Sequence, residues 1–146
     1  MNGALRWASG LVVVLSVAVY GCKLDDLTAG NTGSGSDDPT TGTLTVSLTT
    51  PNADDGAIRF TLTGPFVTTP RAASAGHLVF TRQRSPQELD VIVLGDLGSE
   101  AILILPVRDT HDAPDYQVTI TQVATRTNAL RTDLTGYSTR VLRSAQ

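Results

Sequence analysis

Apolar and hydroxyl side chains alternate one by one in Thr43-Leu44-Thr45-Val46-Ser47-Leu48-Thr49 and again in Ala57-Ile58-Arg59-Phe60-Thr61-Leu62-Thr63. That period of two constrains the fold more than any other feature of the chain. Successive strand side chains point to opposite faces, so Leu44, Val46 and Leu48 share one face and Ile58, Phe60 and Leu62 share another. Between the two segments, Thr50 to Gly56 is dense in turn residues, which predicts strands that are sequential neighbours. Leu78-Val79-Phe80-Thr81 reads as a short strand. Leu89 to Leu94 and Ala101 to Val107 are almost continuously apolar, as expected of central strands covered on both faces, with Gly95 to Ser99 as the turn between them. Pro106 has no N–H to give to a ladder and belongs at an edge-facing position or a bulge. Tyr116 to Gln122 alternates cleanly, and Tyr137 to Leu142 is the last candidate. Asn128 to Leu134 is either one helical turn or a loop. No segment of this region has sustained helical periodicity with caps. The expectation is an all-β fold, a single antiparallel β-sandwich of about seven strands over residues 43–146.

The first residues follow another logic. Arg6 precedes an apolar run from Leu11 to Val19, followed by Tyr20-Gly21 and then Cys22, the only cysteine in the chain. Charge, apolar stretch and small residue are the parts of an export signal. Val19-Tyr20-Gly21-Cys22 resembles the lipobox of bacterial lipoproteins, although Tyr20 is not the usual small residue. The resemblance covers residues 1–22. It implies a lipoprotein signal peptide at 1–21 and lipidation of Cys22, which becomes the mature N-terminus and carries acyl groups such as palmitate. Two or more chains, at about 0.8 kcal/mol per buried methylene, hold a protein stably on a bilayer. The competing readings are a secreted protein with a free thiol and an uncleaved anchor. The stretch from Trp7 to Tyr20 is shorter than the roughly 20 residues a spanning helix needs. A lone exported cysteine would also lack an intramolecular disulfide partner. Lys23 follows the cysteine where aspartate would favour inner-membrane retention in the best-known Gram-negative sorting type. The resemblance therefore implies a cell-envelope location, at the outer membrane if the source is Gram-negative.

Thr28 to Gly42 contains no large apolar residue and is rich in Gly, Ser, Thr and Asp. Such a segment does not bury enough surface to offset its ordering entropy, so residues 22–42 read as the lipidated cysteine and a disordered linker. Its end-to-end distance of about 25 Å on Gly/Ser scaling lets the domain tumble clear of lipid headgroups. Asp25, Asp26, Asp37 and Asp38 make the tether acidic and disfavour docking on anionic lipid.

Thr43 to Pro65 is similar in pattern to the opening of small extracytoplasmic sandwich modules of the immunoglobulin-like and cohesin-like kinds. It carries no family-specific motif. The paired cysteines and core tryptophan of antibody-type domains are missing, since the one tryptophan, Trp7, lies in the export signal. The similarity implies a fold and no activity.

Candidate chemistry is sparse. Arg108-Asp109-Thr110-His111-Asp112-Ala113-Pro114-Asp115 gathers three carboxylates and a histidine, which could offer oxygen ligands to calcium or form a solvated turn. Its spacing does not match an EF-hand. Asp54-Asp55-Gly56 reads as a turn, with metal binding as the lesser reading. Zinc needs three or four suitable ligands, and His77 and His111 are the only histidines. No zincin, nucleophile-elbow or phosphate-loop motif is present, so no catalytic residue, metal or cofactor is assigned. Arg126, Arg131, Arg140 and Arg143 make the C-terminal third basic. The domain as a whole is near neutral with few interleaved aromatics, so these arginines read as a face balanced by acids, without nucleic acid as a partner. Tyr116 and Tyr137 could stack on sugars, but tyrosines that begin strands more often pack their rings and free their hydroxyls.

The expectation is a lipid-anchored, non-catalytic envelope protein with an interaction or structural role. Its partners are the membrane, through Cys22, and an envelope protein or glycan. The alternative is a surface-displayed carbohydrate-binding module, which requires exposed aromatics on one sheet.

Overall fold

The computed structural model describes residues 38–144. The expected signal peptide at 1–21, Cys22 and the expected linker through Asp37 lie outside the described residues. Eight strands form: β1 (Gly42–Thr49), β2 (Asp55–Thr63), β3 (Arg71–Ala72), β4 (Leu78–Ser85), β5 (Glu88–Leu97), β6 (Ala101–Val107), β7 (Gln117–Thr125) and β8 (Ser138–Arg143). A 3₁₀ turn at Thr110–Asp115 stands between β6 and β7. The strands make two antiparallel four-stranded sheets, ordered β3-β6-β1-β8 and β4-β5-β2-β7. The fold is an all-β sandwich.

The pairing obeys one rule. β4 pairs β5, β3 pairs β6, β2 pairs β7 and β1 pairs β8. The chain is therefore one long antiparallel hairpin, closed where Ser85 pairs with Glu88, and rolled so that each arm supplies strands to both sheets. The further pairs β1–β6 and β2–β5 lock the roll.

The core lies between the sheets and follows the period of two. Leu44, Val46 and Leu48 of β1 meet Ile58, Phe60 and Leu62 of β2 in one buried cluster, with Val91 and Val93 of β5 and Leu103 and Leu105 of β6. Each such side chain stabilises the fold by about 1.5–3 kcal/mol through removal of apolar surface from water. Glycine and proline act locally. A Cβ at Gly42 would stand 2.7 Å from the Thr110 methyl, and Pro106 lies beyond the reach of β3, which pairs only with Leu103 and Ile104.

Three expectations need correction. β1 and β2 are not paired neighbours, because Thr50 to Asp54 carries the chain from one sheet to the other. Turn residues show that the chain reverses, but not whether it stays within a sheet. β5 and β6 are central in their sheets, yet the second face of β5 meets solvent, with Ile92 38 % exposed. Its apolar character there matches a cross-strand pairing with Phe80, not a third layer. Finally, β4 runs to Ser85, well past Thr81: an edge strand tolerates Arg82, Gln83 and Arg84, which break the apolar alternation. Asn128 to Leu134 resolves as a loop, with Asn128 at a φ of 65° and an isolated bridge between Ala124 and Leu130. In immunoglobulin constant-type wiring the first two strands share a sheet; here they face each other across the core.

Candidate functional site

The densest polar constellation forms at the end of the sandwich where β2 begins. The register of β2 shifts between Asp55 and Ala57 against both neighbours: against β5 the extra residue lies on β5, whereas against β7 the extra residue of the bulge is Gly56. A Cβ there would stand 2.7 Å from the Arg126 backbone, which restricts the position to glycine. The slip reverses the in–out parity of the strand and turns Asp55 inward, where it is fully buried. Its carboxylate accepts from Arg131 Nε at 3.0 Å and Nη2 at 2.9 Å, from the Tyr137 hydroxyl at 2.8 Å, and from the Thr50 hydroxyl. Arg131 also reaches Asp54, and Asn52 donates to the Tyr137 oxygen at 2.7 Å. Asp55 first, then Asp54, hold the Arg131 guanidinium above its ordinary value. The cluster joins the β1–β2 connection, the loop after β7 and the start of β8. A buried carboxylate so fully engaged acts as a structural pin.

The acidic loop is built the same way. Asp109 caps the 3₁₀ turn, accepting from the His111 N–H at 2.9 Å and the Thr40 N–H at 3.1 Å, while His111 Nδ1 lies 2.7 Å from the same oxygen. The His111 N–H, its ring and the Thr40 N–H keep the Asp109 carboxyl below its ordinary value. Thr40 in turn accepts from the Thr110 N–H at 2.9 Å, so the residues leading into β1 are bonded to this loop. Among the described residues, no group of three or more His, Cys, Asp and Glu side chains is placed to share a metal.

The remaining sequence candidates are dispersed. His77 is buried, its Nε2 3.4 Å from Glu100 and its Nδ1 without a hydrogen-bond partner. Arg126 pairs with Asp96 and donates to the Ala53 carbonyl, and Arg143 donates to the Thr110 carbonyl. Arg140 is exposed on β8. Tyr116 is buried, donates to the Pro65 carbonyl at 2.8 Å and meets the Phe66 ring at 5.9 Å and 65°. Burial pushes its phenol above the ordinary value, and Asp112 and Asp115 add to the rise. Tyr137 is half-buried with its hydroxyl engaged. The two tyrosines therefore do not form an exposed stacking platform.

Sequence reading missed what lies at the two open flanks between the sheets. One cleft, of about 420 Å³, is walled by Phe66, Val67, Thr68 and Thr69 of the β2–β3 connection and floored by Thr81, Gln83 and Leu89. The other, of about 400 Å³, lies where Val118, Thr119 and Ile120 of β7 approach Tyr137, Ser138 and Thr139. Alternation does not mark Thr81 as inward-facing, because Leu78, Val79 and Phe80 are all apolar; the structure turns Val79 and Thr81 in and leaves Leu78 and Phe80 exposed. On the outer face of β4 and β5, Phe80 pairs with Ile92 beside Arg59, and Asp90 accepts from Arg84 at 2.8 Å. Arg84 first, then Arg59, hold the Asp90 carboxyl below its ordinary value.

No protein-family model, curated protein or solved structure matches the chain.

Proposed function

We propose that the chain is a lipid-anchored, non-catalytic module of the cell envelope that works by binding. The lipobox-like Val19-Tyr20-Gly21-Cys22 supports the anchor, with acylation at Cys22 and residence at the outer membrane if the source is Gram-negative. One observation carries the rest. The carboxylates at the centres of the two acidic segments are engaged in architecture: Asp55 with Arg131, Tyr137 and Thr50, and Asp109 with its own turn. Catalysis needs a nucleophile, a base and a stabilising group free to meet substrate in one constellation. What the domain leaves open are clefts and a sheet face, which suit recognition.

Crosslinking in the native cell, followed by identification of the captured species, tests this reading. The expected result is a reproducible envelope partner captured by wild type and lost when the clefts or outer sheet face are altered. Hydrolytic or transfer activity in the purified protein, abolished by substitution of His77 or His111, would contradict it.

A further inference from the structure

The cleft at the β3/β4 flank is held open by its own wall. Tyr116 donates to the Pro65 carbonyl, Phe66 packs edge-on against the Tyr116 ring, and the Gly64 N–H donates to the Gln87 carbonyl at 3.0 Å. Gly64 makes the close approach possible, since a Cβ there would collide with the Tyr116 ring. The loop bearing the wall is thus fixed at its base before any ligand arrives, which lowers the ordering cost of binding.

The lining has a definite chemistry. Phe66 and Val67 give an apolar side, and Thr68, Thr69, Thr81 and Gln83 give the polar one. Every one of those four polar groups both donates and accepts hydrogen bonds. Within the described residues their side chains take no hydrogen-bond partner, and no charged side chain lines the cleft. A charged ligand would find no counter-charge there. A ligand with many neutral hydroxyls and apolar C–H faces would satisfy both sides. The volume falls in the range of small-ligand sites.

The geometry points to a binding site for an uncharged carbohydrate segment in the cleft between the β2–β3 connection and β4. This deepens the binding role proposed above by naming its ligand, and it rests on that role. It does not use the tyrosine platform that sequence reading considered, because Tyr116 serves here from behind Phe66.

The test titrates the full-length protein, purified in detergent, with neutral oligosaccharides (cellohexaose, maltohexaose and chitohexaose), with anionic polygalacturonate and with a neutral Ser/Thr-rich peptide. Calorimetry gives affinity and amide chemical shifts give location. At least one neutral oligosaccharide should bind with a dissociation constant on the order of 1 mM or tighter. Its shifts should centre on Phe66 to Thr69 and Thr81 to Gln83. Thr69→Ala and Gln83→Ala, both at exposed positions, should each weaken binding by roughly threefold to tenfold without altering the melting temperature. Ser138→Ala in the opposite cleft should leave affinity unchanged. Absence of binding by all three neutral oligosaccharides, insensitivity to Thr69→Ala and Gln83→Ala, or preference for the polyanion or the peptide would each overturn the assignment. If the oligosaccharides fail while crosslinking still captures an envelope protein, the site assignment falls and the broader binding role stands.

Discussion

Asp55 is the residue on which the architecture of one end of the sandwich turns. Its carboxylate is buried and shared among Arg131, Tyr137 and Thr50, so truncation would leave these partners short of their acceptor. Asp55→Ala should destabilise the domain by about 3 kcal/mol, read as a lower urea midpoint. An unchanged midpoint would mean that the cluster is not the pin described above. A second residue-scale expectation concerns acid. Asp90, Asp109 and Asp133 all have carboxyls held below their ordinary value of 3.8, by Arg84, by the His111 N–H and by the Thr135 hydroxyl respectively. The unfolded chain therefore binds protons more readily in this range. Their stabilisation is complete above the ordinary value and is lost as pH falls through the lower folded values. The urea midpoint should drop between about pH 5 and about pH 2, and less steeply in Asp90→Asn. A midpoint independent of pH over that span would count against these contacts. Residue roles were the least legible feature of the sequence. Asp54-Asp55-Gly56 reads as a turn in one dimension, and only the bulge at Gly56, set by pairing with the distant strand β7, turns Asp55 inward.

At the scale of elements, the period of two located the strands well because each buries one face. Leu44, Val46 and Leu48 lie inward as expected, and so do Ile58, Phe60 and Leu62. The two-residue β3 escaped because it is too short to show a period, and the end of β4 because its charged residues sit on an edge. The helical turn fell in the acidic loop, where Asp109 caps it and Pro114 fits inside so short a turn. The β2–β3 connection is the element most open to a simple test. Tyr116→Phe removes the hydrogen bond to the Pro65 carbonyl and should cost about 1 kcal/mol in thermal or urea unfolding. It should also speed amide exchange at Phe66, whose N–H bonds within the same loop to the Gly64 carbonyl. Unaltered stability and exchange would show that the Tyr116 hydroxyl does not hold the wall of the cleft.

For the whole molecule, alternation revealed which face each side chain takes but not which strand lies beside which. The fold class was therefore readable, whereas the rolled hairpin, with β1 beside β8 and β2 beside β7, was not. The two flank clefts follow from that wiring, since they open where the edge strands of opposite sheets part. They were hidden in the sequence for the same reason. In the proposed reading this domain is joined to a membrane through a single residue, Cys22. Expression in the native cell with radiolabelled palmitate tests that attachment directly. Wild-type protein should carry the label and Cys22→Ser should not. Label that persists in Cys22→Ser, or that never enters the wild type, would contradict lipid attachment at Cys22.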